Sequence, residues 1–442
     1  MDRREREDLA KHLLSLSNAD ETEITVASSD LALARFTHET FNQSVAAAST
    51  EVSVRAIVGG RTGVASSNLQ RDEPRALVER AIAMARLSPK DPGLPHLPVG
   101  RVAAAPANAF VEATARASEE TRARRCADAF EAAETAGYWC AGYASTASAG
   151  VTIANTSAAM SSFDGTDAAI NVKMVGPDAS GWAEAHSSDI ALVDGTAVGR
   201  RAAEKARANA APRNAEPGAW TVILEPAAFG ELFAYLVSHF SAQSYDEGSS
   251  FCSDGLDRPY FAENVSIFDD YAQPLHPGMP FDFEGYPTQR LALVEHGVVR
   301  TVVTDSYYAK KLGRPNTGHA LPAPNAYGPQ ARNIVVEAGM TTLEELIAST
   351  KRGILVTRFW YIRTVDHKKA IVTGMTRDGT LLVEDGQIVC GLRNLRFNQS
   401  ILDALRSCEF SREQRRTASY GYDFVVPAAR IDGFRFTSGT EF

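Results

Sequence analysis

Cysteine is scarce and scattered in this chain of 442 residues. The five that occur, Cys126, Cys140, Cys252, Cys390 and Cys408, are odd in number and form no C-x-x-C pair. This excludes a disulfide framework and a zinc knuckle, and leaves reduced thiols that pack as small hydrophobes. Long apolar runs are also missing. No segment approaches the roughly 18 uninterrupted apolar residues of a membrane-crossing helix, and the N-terminal "MDRREREDLAKHLLSLS" is charged and then amphipathic, without the apolar core of a secretory signal. The expectation is a cytoplasmic protein with no membrane partner. Basic residues are outnumbered, 45 against 54, for a net charge of −9. That balance works against phosphate backbones, so nucleic acid is not an expected partner.

Several chemistries lack their motifs. There is no phosphate-cradling G-x-x-x-x-G-K-[ST] loop, no G-x-G-x-x-G after a strand, no G-x-S-x-G elbow and no EF-hand loop. The nine histidines are spread along the chain and no two share a helical turn. A helical zinc site needs two imidazoles on one face with a carboxylate to deprotonate the bound water, and the sequence does not supply that pair.

What is present is the material of a globular protein. Hydrophobic residues make up 44% and charged residues 22%, and the length exceeds what one core usually organises, so two domains are expected. The pattern predicts an α+β fold. An N-terminal α/β domain with mostly antiparallel sheet spans residues 1–212, a linker "NAAPRNAEPGA" follows, and a β-rich domain with few helices spans 218–442. In the first domain, helical periodicity marks 5–17 (with Leu9, His12, Leu13 and Leu16 on one face), 74–87 (with Leu77, Ile82 and Met84), 118–136 and 195–209. Between them, alternating runs at 22–30, 31–45, 51–68, 137–146, 150–157, 169–176 and 181–188 read as strands, and the proline-rich 88–100 reads as loop.

In the second domain, "TVILE" predicts a buried strand leading into a helix. The Asp-Gly pairs at 378/379 and 385/386 bracket "TLLVE" as turns of a meander. The spacing of Thr341 and Glu344 predicts a capping box for a helix that Gly353 closes.

The stretch "FGELFAYLVSHFSAQSYDEGSSF", residues 229–251, predicts an apolar helix running into a glycine loop. Phe229, Leu232, Phe233, Leu236 and Phe240 form a core-facing stripe at spacings of three and four. His239 beside it fits a satisfied interfacial histidine better than a ligand, and Asp246 and Glu247 fit solvated loop acids. The long loop after "RTVVTDSYYAKKLG" carries His319, and a second candidate site groups His319 with Asp305 and Tyr307. The aromatics of "FWYIRTVD" suit a core or a subunit interface.

The order "FDFEGYPTQRLALVEHGVVRTVVTDSYYAKKLG", "NTGHA", "NIVVEAGMTTLEELI" and "TGMTRDGTLLVEDGQIV" resembles the TldD/PmbA (TldE) family, whose members carry the label modulators of DNA gyrase. The resemblance is dense over 220–405. In the family's TldD branch the helix after the corresponding strand carries an H-E-x-x-x-H zinc motif, completed by a late cysteine. Aligned on Gly248-Ser249-Ser250, those slots hold Phe233, Ala234 and Ser238 here. A one-residue slip brings His239 into the last slot only, and "RTASYGYDFVVPAARIDGFRF" lacks the late cysteine. The resemblance therefore implies the TldE/PmbA-like branch, with no cofactor in this chain and zinc in a TldD-like partner. It implies a heterodimeric metalloprotease acting on extended, unfolded or precursor peptides, with a homodimer open as well. Two rivals remain at this point: a self-sufficient hydrolase or peptide-modifying enzyme around His319, Asp305 and Tyr307, and a regulatory interaction protein.

Overall fold

The computed structural model describes residues 1–68, 73–99, 104–419 and 421–440. Gly100 of the proline-rich stretch and Tyr420 of the C-terminal segment lie outside the described residues. The fold is α+β, as the sequence predicts, and is built on two sheets.

Helix α1 (Arg3–Ser15) opens the chain with a capping box in which Asp2 accepts from the Glu5 N–H and Glu5 returns to the Asp2 N–H. Leu13 is buried but His12 is exposed, so the histidine does not belong to the packing stripe. Strands β1 (Glu21–Thr37), β2 (Thr40–Val58) and β3 (Arg61–Ser67) are antiparallel. The run 31–45, read as one strand, is folded at His38 and Glu39, whose φ angles are 49° and 55°. Neither residue is a strong turn former, which is why the hairpin is silent in the sequence.

Helix α2 (Pro74–Leu87) begins on Pro74 and buries Leu77 and Ile82, while Met84 faces solvent. A one-turn helix α3 (Glu112–Ala115) precedes α4 (Glu119–Ala136), which Ser118 caps by accepting from the Thr121 N–H. The runs 137–146 and 150–157 merge into one long strand β4 (Trp139–Asn155), and 169–176 is the second half of β5 (Met160–Gly176). Strand β6 (Ala179–Ser187) and helix α5 (Gly195–Ala208) complete this half, in the sheet order β3-β2-β1-β4-β5-β6. Two glycines let helices lie close on the sheet. A Cβ at Gly63 would strike the backbone of Ala81 and Ala85 in α2, and one at Gly181 would strike the backbone of Ala202 and Ala206 in α5.

The second half contains β7 (Gly218–Leu224), α6 (Pro226–Phe233), α7 (Ala242–Asp246), β8 (Arg258–Pro259), β9 (Ile267–Asp269), β10 (Leu291–Glu295), β11 (Val298–Val299) and α8 (Ser306–Leu312). It continues through β12 (Ile334–Val336), α9 (Leu343–Ala348), β13 (Arg352–Asp366), β14 (Ile371–Glu384), β15 (Gln387–Gly391), β16 (Leu395–Ser400), α10 (Ile401–Ala404), β17 (Cys408–Ser419) and β18 (Tyr422–Gly439). Strand β13 pairs with β14 and β7, β7 with β18, and β16 with both β18 and β14, so these strands close into a barrel. Phe359, Phe397 and Phe434 fill it, with ring centroids 4.7–5.9 Å apart.

The cap of α9 falls on Thr342 and Glu345, one residue later than predicted, and Gly353 lies inside β13. Asp385-Gly386 turns the chain between β14 and β15. Asp378-Gly379 instead makes a bulge within β14, opposite a register shift at Val356/Arg358. Of the aromatics at 359–361, Phe359 enters the barrel, whereas Trp360 and Tyr361 are exposed and covered by Arg377 and Arg363 at 4.6 and 4.4 Å. All five cysteines are free. Burial pushes the thiols of Cys126, Cys140 and Cys408 up to about 12, which suits inert packing thiols.

The two halves meet where β6 lies against β13, β14 and β17. Thr417 donates to Glu184 at 2.7 Å, Lys173 pairs with Asp378 at 2.8 Å, and Arg358 stacks over Trp182 at 4.6 Å. Among the described residues no helix is long and apolar enough to cross a membrane.

Candidate functional site

Two places bear on function: the helix after β7, and the cleft between the halves. The stretch 229–251 is not one helix. α6 stops at Phe233, a turn and a 3-10 segment (Val237–Phe240) follow, and α7 restarts at Ala242. Its apolar stripe is buried throughout, with Phe229, Leu232, Phe233, Leu236 and Phe240 each no more than 1% exposed. The Phe233 ring meets Phe229 at 5.4 Å and Phe424 at 6.3 Å, both edge-on. Ala234 terminates the helix and is half-buried, as is Ser238.

A phenyl ring, a methyl and a hydroxyl offer neither two imidazoles nor a carboxylate. This segment therefore does not fit a zinc ion. His239 is buried and stacks on His367 at 4.3 Å, and its Nδ1 accepts from the Phe251 N–H at 3.4 Å. Desolvation, aided by His367, holds it down at about 3, so it is neutral. Asp246 and Glu247 are exposed, but they end and cap α7 and do not sit in a loop; Asp246 pairs with Lys311 at 2.6 Å and Glu247 accepts from Gln243 at 3.0 Å. Among the described residues no three His, Cys, Asp or Glu side chains converge as a metal site would require.

The cleft is a different environment. A cavity of about 540 Å³ lies between β3 and the 94–97 loop on one side, and α8 and the 320–328 loop on the other. Arg55, Glu284 and Asp305 line it, with Tyr307 and Tyr308. Arg55 sits opposite Glu23 in the β1–β2 register, and its guanidinium donates to Glu23 at 2.8 Å while lying 3.6 Å from Glu284. Glu284 accepts from the Ser306 N–H at 3.1 Å. Asp282, in the same turn, accepts from the backbone of Glu284, Tyr286 and Ala320 at 2.9 Å each. Asp305 caps α8 by accepting from the Tyr308 N–H at 2.8 Å.

Burial dominates the titration of this group. It raises Glu23 to about 7 despite Arg55, raises Asp282 to about 7 with help from Glu284, and raises Asp305 to about 6. Clustered, perturbed carboxylates in a cleft mark a candidate functional site.

The proposed grouping of His319 with Asp305 and Tyr307 divides. Asp305 and Tyr307 line the cavity. His319 is fully buried, with its Nε2 3.3 Å from Asp269 and its Nδ1 2.9 Å from the Thr317 hydroxyl. Asp269 also accepts from the Arg332 and Asn333 N–H groups at 2.7 and 3.0 Å. Burial alone would raise the Asp269 carboxyl, but His319 and these donors hold it well below its ordinary range. His319 thus clasps the long loop to β9.

Sequence reasoning missed Glu23, Arg55 and Asp282, and used Glu284 only as part of a family pattern. The available signal was a charged residue inside each of two alternating strands, "TEITV" and "SVRAIV". Only the register reveals that the two face each other.

Comparison with known proteins gives this geometry its context. Residues 217–438 match the PmbA/TldA metallopeptidase C-terminal domain, and 34–85 match domain 1 of the same family. A "Metalloprotease PmbA homolog" of Haemophilus influenzae is 29% identical over 39% of this chain and 37% of its own length. A "Zinc metalloprotease TldD homolog" of Saccharolobus solfataricus is 26% identical over 31% of each chain. The matched stretches thus span about a third of these relatives. The crystal structure of TldE from Thermococcus kodakarensis superposes with a TM-score of 0.88 at 21% identity, covering 98% of this chain and 99% of that one, which is a likeness of fold. With its second half matched end to end, this chain belongs to the PmbA/TldD metallopeptidase family.

Proposed function

We propose that this chain is the TldE/PmbA-like, non-catalytic subunit of a cytoplasmic, heteromeric TldD/TldE-type zinc metallopeptidase that cleaves unfolded or precursor peptides. The observation that carries the reading is Phe233. The family resemblance puts it in the slot of the first zinc histidine, and its side chain is built into the core against Phe229 and Phe424. The partner supplies the metal, and this chain encloses the cleft and lends binding surface.

One feature suits that surface role. Among the described residues no strand pairs with the outer edge of β2 from Thr40 to Glu51, since β3 covers only Val52–Val58. The edge carries no charged residue from Thr40 through Thr50. Such an edge offers backbone donors and acceptors to an extended peptide or a neighbouring strand.

The test is co-expression with a TldD-like protein from the same genome. Co-purification, with zinc content and cleavage of an unfolded peptide measured on the complex and on each chain alone, decides the reading. Zinc and cleavage are expected in the complex, with neither in this chain alone. Turnover by this chain alone overturns it.

A further inference from the structure

The cleft between the halves holds two carboxylates, each with one oxygen that accepts no hydrogen bond from another described residue. Asp305 is 8% exposed and Glu284 is 7% exposed, and both line the cavity of about 540 Å³. One Asp305 oxygen caps α8 through the Tyr308 N–H. Among the described residues the other accepts from no other residue. One Glu284 oxygen accepts from the Ser306 N–H, and the other lies 3.6 Å from Arg55, beyond hydrogen-bonding range. Neither of these oxygens is a fully buried atom left without a partner, so both open onto the cavity, where its contents can donate to them.

The charge around them sets the sign of that donor. Arg55 is engaged with Glu23 at 2.8 Å. Asp282 stands behind Glu284, and Arg332, which stacks on Phe283 at 5.2 Å, donates to the Phe281 carbonyl at 3.1 Å. Asp305 makes no close ion pair among the described residues, and the Arg55 guanidinium acts on it only from a distance. The lining sets Glu284 and Asp305 against Arg55, so the cleft is net acidic and favours a cation over an anion. Among the described residues the two carboxylates belong to no set of three or more His, Cys, Asp or Glu side chains that could hold a metal ion. The walls suit an organic cation, because Tyr307 and Tyr308 pack edge-on with centroids 5.4 Å apart beside Asp305.

We propose that this cleft is a subsite for a primary ammonium group of a peptide, received between Asp305 and Glu284 with its carbon chain against the tyrosine wall. The choice of a peptide rests on the partner-subunit reading; the cation preference rests on the cleft. The ammonium could come from a lysine side chain or from a free amino terminus, so the test carries both.

The experiment is calorimetric titration of the purified full-length chain, without partner, with pentapeptides Ala-Ala-X-Ala-Ala-amide. One arm is N-acetylated with X lysine, one has a free amino terminus with X norleucine, and the control is N-acetylated with X norleucine. A charge-assisted hydrogen bond is worth about 1.5–3 kcal/mol, so at least one ammonium peptide should bind about tenfold or more tightly than the control. Asp305→Asn keeps a good helix cap, and Glu284→Gln keeps the side-chain shape. In either variant that melts like wild type, the preference should collapse while the control peptide binds as before.

A preference under about fivefold in both ammonium arms, or one that survives in folded Asp305→Asn protein, overturns the subsite. Because the isolated chain is titrated, this result is independent of whether the co-purified complex cleaves peptide. Loss of the subsite leaves the partner role standing, and loss of the partner role leaves the subsite standing.

Discussion

Replacing Phe233 by alanine tests whether α6 is a packing element. The ring is fully buried and touches Phe229 and Phe424 edge-on. Removing a buried phenylalanine side chain costs about 3–5 kcal/mol through lost transfer energy and the cavity left behind. Loss of the two edge-on contacts keeps the cost from the low end of that range, at about 4 kcal/mol. For a domain of this size each kcal/mol lowers the melting midpoint by roughly 2–4 °C, so a fall of roughly 8–16 °C is expected.

Circular dichroism melts of wild type, Phe233→Ala and Ser238→Ala would measure this. The serine variant, at a half-buried position, should stay within about 0.5 kcal/mol of wild type. Phe233→His should cost about as much as the alanine variant, because it buries an imidazole against the rings of Phe229 and Phe424. Added zinc should not raise its midpoint, since a stabilising ligand must bind the folded state. A cost below about 1 kcal/mol for Phe233→Ala, or a zinc-dependent rise for Phe233→His, would refute the packing argument.

Three further outcomes follow from the same reasoning. Asp269→Asn should destabilise by about 3–5 kcal/mol, as breaking a buried pair does. Because the folded Asp269 carboxyl is held low, its stabilisation is present above about pH 4 and is lost as pH falls further, so pH-dependent denaturation of the variant should lack that acid limb. Glu231 is the reverse case. Burial raises it to about 8 despite Arg358 and the Phe359 N–H, so its contribution is full below about pH 4.3 and is lost as pH rises through 8. Glu231→Gln should therefore match wild type in mild acid and exceed it in melting midpoint above pH 8. Gly63→Ala should cost about 1–3 kcal/mol, because the added methyl meets the α2 backbone and the helix must move; urea titration checks it.

Much of the architecture is written locally. Periodicity alone places α2, α4 and α5 to within a residue or so, because capping and apolar spacing act over one or two turns. Composition alone argues against disulfides, and the residue types at Phe233, Ala234 and Ser238 alone offer no set of zinc ligands. Where the reading failed, a partner strand had decided the outcome. Asp378-Gly379 carries a turn signature, yet pairing with β13 holds it inside β14 as a bulge. The strands at 137–157 look separate but fuse, because β1 and β5 flank them on both sides.

The cleft belongs wholly to the tertiary level. Glu23, Arg55, Glu284 and Asp305 come from four places in the chain, and none is conspicuous alone. The raised carboxyls of Glu23 and Asp305 arise from burial and from the nearby Glu284, which no linear pattern encodes. His319 shows the converse: in sequence it is a reactive residue in a glycine-rich loop, and only its burial against Asp269 makes it a structural clasp. The sequence by itself determined which residue types are available for chemistry, since donor atoms are fixed by identity. The tertiary structure decided which of them meet, because desolvation and distance exist only once the two sheets have packed.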